Sequence, residues 1–227
     1  MRAERAIAKP RDWALLLSLI LIWAVSWPLI KIGVGEISPL WYGCLRYAIA
    51  AICFFAFVAI RGELALPPRP DWPLVAVSSL LQMAAYSTLT GLALTVLPPG
   101  RASVLAFATP IWVVPLAAWR LRERAPPYAV AGVITGLAGI LTIASPSLRA
   151  GGKSEMLAYA MLMGAALAWA ISIVFVRGHR FTASATQLAP WQMLIAAGAL
   201  FPLAMAVEGN PPSTSLTGAA SLASSVR

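Results

Sequence analysis

Trp23, Trp27 and Lys31 recur at i, i+4 and i+8, which on a helix sets them along one face with Ser26 beside them. An aromatic face of this kind suits an amphipathic organic molecule. A second reading has the tryptophans packing or facing lipid and Lys31 snorkelling to the headgroups. Pro28, in the same stretch, removes a backbone hydrogen bond and makes a kink or hinge candidate. Gln82, Tyr86 and Thr90 repeat the i, i+4, i+8 spacing, and such a polar stripe in an apolar segment should face protein or a cavity. Interhelical hydrogen bonds and solute contact both account for it. Arg46 lies roughly 9 Å into an apolar segment by helical rise. With no acidic residue inside any such segment, Arg46 either snorkels or faces a cavity.

Bond-breaking chemistry finds little support. His179 is the only histidine, and Cys44 and Cys53 are the only cysteines; their spacing puts them roughly 13 Å apart on a helix, beyond disulfide reach. They read as packing residues, and no Cys/His cluster has metal-ligand spacing. The acidic residues Glu4, Asp12, Glu36, Glu63, Asp71, Glu123, Glu155 and Glu208 all lie outside or at the ends of the apolar segments. No buried carboxylate is expected, hence no proton relay of the kind pumps keep in the membrane. Neither a Ser/His pair nor an acid/base dyad can be assembled there, so no enzyme, catalytic residue, metal or cofactor is expected.

The elements that must position these residues are membrane helices. Of 227 residues, 60% are hydrophobic and 11% charged, against roughly 45 to 50% and 25% in a soluble domain. A soluble catalytic domain is excluded. Apolar runs between charged or Pro/Gly-rich breaks predict seven spans: Trp13 to Val34, Trp41 to Ile60, Trp72 to Val96, Ala102 to Trp119, Tyr128 to Ser145, Met156 to Val176 and Thr186 to Val207. The expected fold is an all-α, multi-pass integral membrane protein in the cell membrane. The first run is too long for a signal peptide's apolar region and no small-residue cleavage site follows it.

The net charge of +9 is a topology signal rather than a sign of nucleic-acid binding. With the N-terminus cytoplasmic, that side holds Arg2, Arg5, Lys9, Arg11, Arg61, Arg69, Arg120, Arg122, Arg124, Arg177 and Arg180. The other side holds Arg101, Arg149 and Lys153, apart from Arg227 at the terminus. Eleven against three places the N-terminus inside. That orientation, with no lysine in the seventh span, argues against a seven-helix receptor or retinal protein.

At an offset of 146, Ile22-Trp23-Ala24-Val25-Ser26 aligns with Ala168-Trp169-Ala170-Ile171-Ser172. Lys31 falls on Arg177, Ser38 on Ser184 and Arg46 on Gln192. The match joins span one to span six, so the second copy enters from the opposite side, as in the inverted repeats of secondary transporters. Trp169, Ser172 and Gln192 thereby join Trp23, Ser26, Trp27, Lys31, Arg46, Gln82, Tyr86 and Thr90 as pathway candidates.

The residues Trp23 through Ser26 to Lys31, Pro39 and Arg46, Tyr86 to Ala93, Ala102, Thr109-Pro110 and Glu123, and Gly132, Gly136 and Gly139 together resemble the drug/metabolite transporter superfamily, specifically its EamA-like branch of ten-helix exporters. The resemblance covers about residues 13 to 207. It implies two five-helix halves related by inversion around a central cavity, and export or exchange of small organic metabolites or drugs by alternating access.

The expected layout is a cytoplasmic segment 1–12, a first five-helix repeat 13–145, an external loop 146–155, two helices of a second, inverted repeat 156–207, and an irregular tail 208–227. The tail is too short for three more crossings, so activity is expected to be lost or impaired in a truncated chain. The alternative is a non-transporting subunit or fragment that needs a second chain to supply the missing helices. Expected partners are the lipid bilayer and a small-molecule substrate. Gly132 with Gly136, and Gly164 with Ala168 and Ser172, read as small-residue packing pairs. Pro110 and Glu123 are structural or gating candidates, Glu123 as an ion pair among Arg120, Arg122 and Arg124.

Overall fold

The computed structural model describes residues 10–150 and 152–212, and these are helical with no strand. Arg2, Arg5 and Lys9 of the charge count, and the tail beyond Pro212, lie outside the described residues. Seven helical stretches are long and apolar enough to cross a membrane. They comprise α1 (Pro10–Glu36), α2 (Pro39–Ile60), a third span running from Arg69 to Val96, a fourth from Pro99 to Arg120, α7 (Pro127–Ala150), α8 (Lys153–Gly178) and α9 (Ala185–Val207). Large apolar side chains stay exposed on all of them, Ile60 at 86% for instance. In a bilayer that surface faces acyl chains, which removes its cost.

The connections are short and use the backbone chemistry of helix starts. Pro39, Pro99, Pro110 and Pro127 each sit in the first turn of a helix, where the missing N–H has no intrahelical partner to lose. α9 begins with a capping box: Ser184 Oγ accepts from Gln187 N at 3.3 Å, and Gln187 Oε1 accepts from Ser184 N at 3.2 Å. α7 continues through Pro146 to Ala150 and α8 begins at Lys153, so the connection expected over 146–155 is far shorter.

Two spans depart from the regular helices expected. The third is a 3₁₀ turn (Arg69–Asp71), α3 (Trp72–Val77), a π-helical stretch over Ser78–Ala85 and α4 (Tyr86–Val96). Hydroxyls back-bond along it, Ser79 Oγ donating to Val75 O at 2.6 Å and Thr90 Oγ1 to Tyr86 O at 2.7 Å. Such side-chain bonds compete with the regular ladder, and π stretches collect at functional sites. The fourth span starts three residues before the expected Ala102 and is broken into α5 (Pro99–Ala106) and α6 (Thr109–Arg120), with a turn at Phe107-Ala108. Thr109 Oγ1 donates to Ala106 O at 3.0 Å across the break, and Pro110 cannot donate to a continued helix.

α8 is the central post. Gly164 admits Leu89 of α4, a Cβ there lying 3.5 Å from Leu89 Cδ1, and Ala168 and Ser172 continue the buried stripe. The other small-residue pair fares differently. A Cβ on Gly136 would lie 3.1 Å from Ile111 Cδ1, whereas one on Gly132 meets nothing within 4 Å among the described residues. α1 and α7 are peripheral: only 6% of the apolar window of each is buried, against 44% in the third span.

Polar side chains fasten both ends of the bundle. At one end Asp71, fully buried, overturns the expectation that no carboxylate is buried. Ala183 N donates to its Oδ2 at 2.8 Å, Thr182 N to both oxygens at 3.2 Å, and His179 Nε2 lies 3.1 Å from Oδ1. A desolvated carboxylate is tolerable with three donors around it. Glu123 pairs across the same end with Arg177 at 3.2 Å, not with its neighbours Arg120, Arg122 and Arg124 as expected. At the other end, Glu208 accepts from Leu40 N and Trp41 N, both at 3.0 Å, and so caps α2, whose own Ser38 makes no side-chain cap. Glu208, placed with the irregular tail by the sequence, is thus part of the fold.

Candidate functional site

Between α1, α2, the third span, the break in the fourth, α8 and α9 lies a cavity of about 480 Å³, within the range of small-molecule sites. It is lined by Trp23, Ser26, Trp27, Ile30, Arg46, Tyr47, Gln82, Met83, Tyr86, Thr90, Phe107, Trp169 and Met193. Eight of the eleven pathway candidates therefore meet at one place.

The wall is a connected set of rings. Trp23 stacks on Phe107 with centroids 5.9 Å apart and lies 6.3 Å from Trp169. Phe107 also meets Trp27 edge-on at 5.7 Å and Trp169 at 6.3 Å, and Trp169 meets Tyr86 edge-on at 5.0 Å. Offset and edge-to-face geometries of this sort are the favourable ones for aromatic pairs. The broken helix is what brings Phe107 to the middle of the set. The sequence reading missed Phe107, although the Thr109-Pro110 step directly after it marks a helix restart. It also missed Tyr47, which directly follows Arg46, and Met83, Met193 and Ile30, whose types carry no polar signal.

Polar groups in the cavity are few. Arg46 Nη2 donates to Tyr47 Oη at 3.1 Å, and the guanidinium lies 4.8 Å from the Tyr47 ring centroid and 6.0 Å from that of Tyr42. These cation–π contacts hold a partly desolvated cation, yet among the described residues no carboxylate pairs with it. Gln82 Oε1 accepts from the fully buried Ser172 Oγ at 3.1 Å. Thr90 gives its proton to its own helix. Interhelical bonding thus accounts for the side-chain oxygen of Gln82 but not for Thr90, whose proton stays within its own helix, while Tyr86 and the remaining polar atoms stay available to a guest.

Three candidates stand elsewhere. Lys31 Nζ reaches the C-terminal carbonyls of α4, donating to Leu94 O and, at 3.3 Å, to Thr95 O. A cation there meets the negative end of the helix dipole. Ser172 lies behind Gln82 rather than on the cavity surface, and half-buried Gln192 is not among the lining residues. Pro28 lines a second hollow of about 440 Å³ beside the same tryptophans, and α1 runs through it without a break. Among the described residues no group of three His, Cys, Asp or Glu converges as a metal would need.

The sequence profile of the EamA-like transporter family matches residues 13–145. The transporter YoaV of Bacillus subtilis is 25% identical over 86% of this chain and 67% of its own length. The transporter YvbV of the same organism is 28% identical over 76% and 56%. A probable amino-acid metabolite efflux pump of Escherichia coli K12 is 25% identical over 88% and 66%. The chain thus spans between about half and two thirds of the length of these relatives. A solved crystal structure shares the fold, with a TM-score of 0.57 at 24% identity over 87% of this chain and 66% of that one.

Proposed function

Because the chain belongs to the EamA-like transporter family, whose members are membrane transporters, we propose that it exports or exchanges small amphipathic organic acids through the aromatic cavity. The observation that carries this is one half-buried cation, Arg46, without a carboxylate partner among the described residues, facing five connected rings. The rings take the apolar body of the solute. The guanidinium offers charge-assisted, bidentate hydrogen bonds to its carboxylate. Amino acids and related acids fit both, and the relative described as a probable amino-acid metabolite efflux pump supports that class.

Transport proceeds by alternating access, with the unit 13–145 rocking against the unit that begins at 156. The contact between Trp23 and Trp169, the pair aligned by the internal repeat, supports an inverted relation between the two units. The turn at Phe107-Ala108 and the π-helical stretch supply bendable backbone beside the solute. The N-terminus is cytoplasmic, on the eleven-to-three charge count.

A second reading, a subunit that works only with a partner chain, draws on the exposure of Trp23 and Phe107, 48% and 41%. A further wall would cover them. Counterflow of labelled amino and keto acids in proteoliposomes tests both readings. Trp169→Ala and Tyr86→Ala should each lower flux roughly tenfold or more without altering elution of the purified protein. Unchanged flux in both variants would remove the cavity from the pathway. Flux only after covalent pairing of two copies would favour the second reading.

A further inference from the structure

A third hollow, of about 380 Å³, opens between the ends of α6 and α8. Leu116, Trp119, Ile171 and Phe175 line its apolar part, and Arg120 and His179, both at helix ends, line the rest. On α8, at 100° per residue, Ile171, Phe175 and Gly178 lie opposite Trp169 and Ile173. The hollow therefore opens away from the aromatic cavity, toward the outside of the described helices.

Two features define what covers it. The first is charge. Arg120, Arg122, Arg124, Arg177 and Arg180 are exposed at this end. The carboxylates near them are engaged already, Glu123 by Arg177 and Asp71 by the loop it anchors. Arg120 has no carboxylate partner among the described residues. The second is depth. Trp119 and Tyr128, 78% and 80% exposed, stand at the same end as interfacial aromatics do, so the mouth of the hollow lies at the headgroup level.

We infer that this groove holds an anionic glycerophospholipid, an acyl chain lying along Ile171 and Phe175 and the phosphate against Arg120. A basic pocket between membrane helices at the interface is suited to such headgroups, and an uncharged end would leave Arg120 without a counter-charge. The site is independent of the transported solute. The lipid bridges the broken fourth span and the central post.

The test is native mass spectrometry of the full chain in mild detergent with phosphatidylglycerol and phosphatidylcholine of identical acyl chains in equal amounts. Phosphatidylglycerol should be retained about fivefold over phosphatidylcholine, the factor that one basic group contributes at an anionic surface. Arg120→Gln should bring the two to parity, whereas Arg61→Gln, which removes an arginine paired with Glu63, should leave the preference intact. Ile171→Phe, which fills the apolar part, should lower retention of both lipids. Equal retention by the unaltered protein, an unchanged preference in Arg120→Gln, or a second copy of the chain bound in place of lipid would each overturn the assignment.

Discussion

Asp71 and Arg46 are both charges drawn out of bulk water, and the protein treats them in opposite ways. Asp71 is fully buried at one end of the bundle and meets three donors, two backbone amides and His179, all from the segment between α8 and α9. Arg46 sits half-buried in the middle and meets a tyrosine hydroxyl and two ring faces. A charge whose partners are all supplied by the chain acts as a fastener. One left without a counter-charge is prepared for something that arrives from outside. The same division separates Lys31 from Arg46: both are cations in apolar spans, but Lys31 is committed to the carbonyls that end α4.

This contrast can be broken by substitution. The largest effect should come from Asp71→Ala, which leaves His179 and the amides of Thr182 and Ala183 without their acceptor and should lower stability by about 3 kcal/mol. Thermal unfolding in detergent measures it, and a melting temperature equal to that of the unaltered protein would refute the fastener role. Asp71→Asn, which keeps one acceptor, should fall between.

Arg46→Gln should leave melting nearly unchanged but lower carboxylate transport about tenfold, equivalent to roughly 1.4 kcal/mol. Neutral solutes of the same shape should be unaffected, and Arg46→Lys should rescue only in part because the bidentate fork is lost. A melting loss as large as that of Asp71→Ala would place Arg46 among the fasteners instead. Glu208→Ala removes the cap of α2 and should cost about 1 kcal/mol, read in the same unfolding assay. The smallest effect is expected for Glu123→Gln. Its pair with Arg177 is close to half exposed on both sides, so screening should hold the loss below about 0.5 kcal/mol.

Much of the cavity was legible because its residues combine a helical spacing with an unusual type. Gln82, Tyr86 and Thr90 stand out in an apolar run, and the repeat directed attention from Trp23 to Trp169. Phe107 had no such contrast, since one more ring in a membrane span is ordinary until a helix break turns it inward. Gly132 and Gly136 show the converse. The same motif at the same spacing meets a neighbour at one position and open space at the other, because the motif records what could pack and not what lies opposite.

The sequence by itself determined the number and course of the spans, because hydrocarbon tolerates only long apolar runs with internally bonded backbone. It also determined which residue types the spans carry, among them Arg46 as a cation well inside an apolar segment while the acids stay at or beyond the segment ends. The tertiary structure alone decided which charges are satisfied. The donors to Asp71 lie 108 to 112 residues away along the chain and those to Glu208 lie 167 and 168 away. Hydrogen bonds act over about 3 Å in space, whereas spacing along one helix reports only neighbours three and four residues apart. Partners contributed by another helix therefore leave no periodic trace, and they become known only when the helices are brought together.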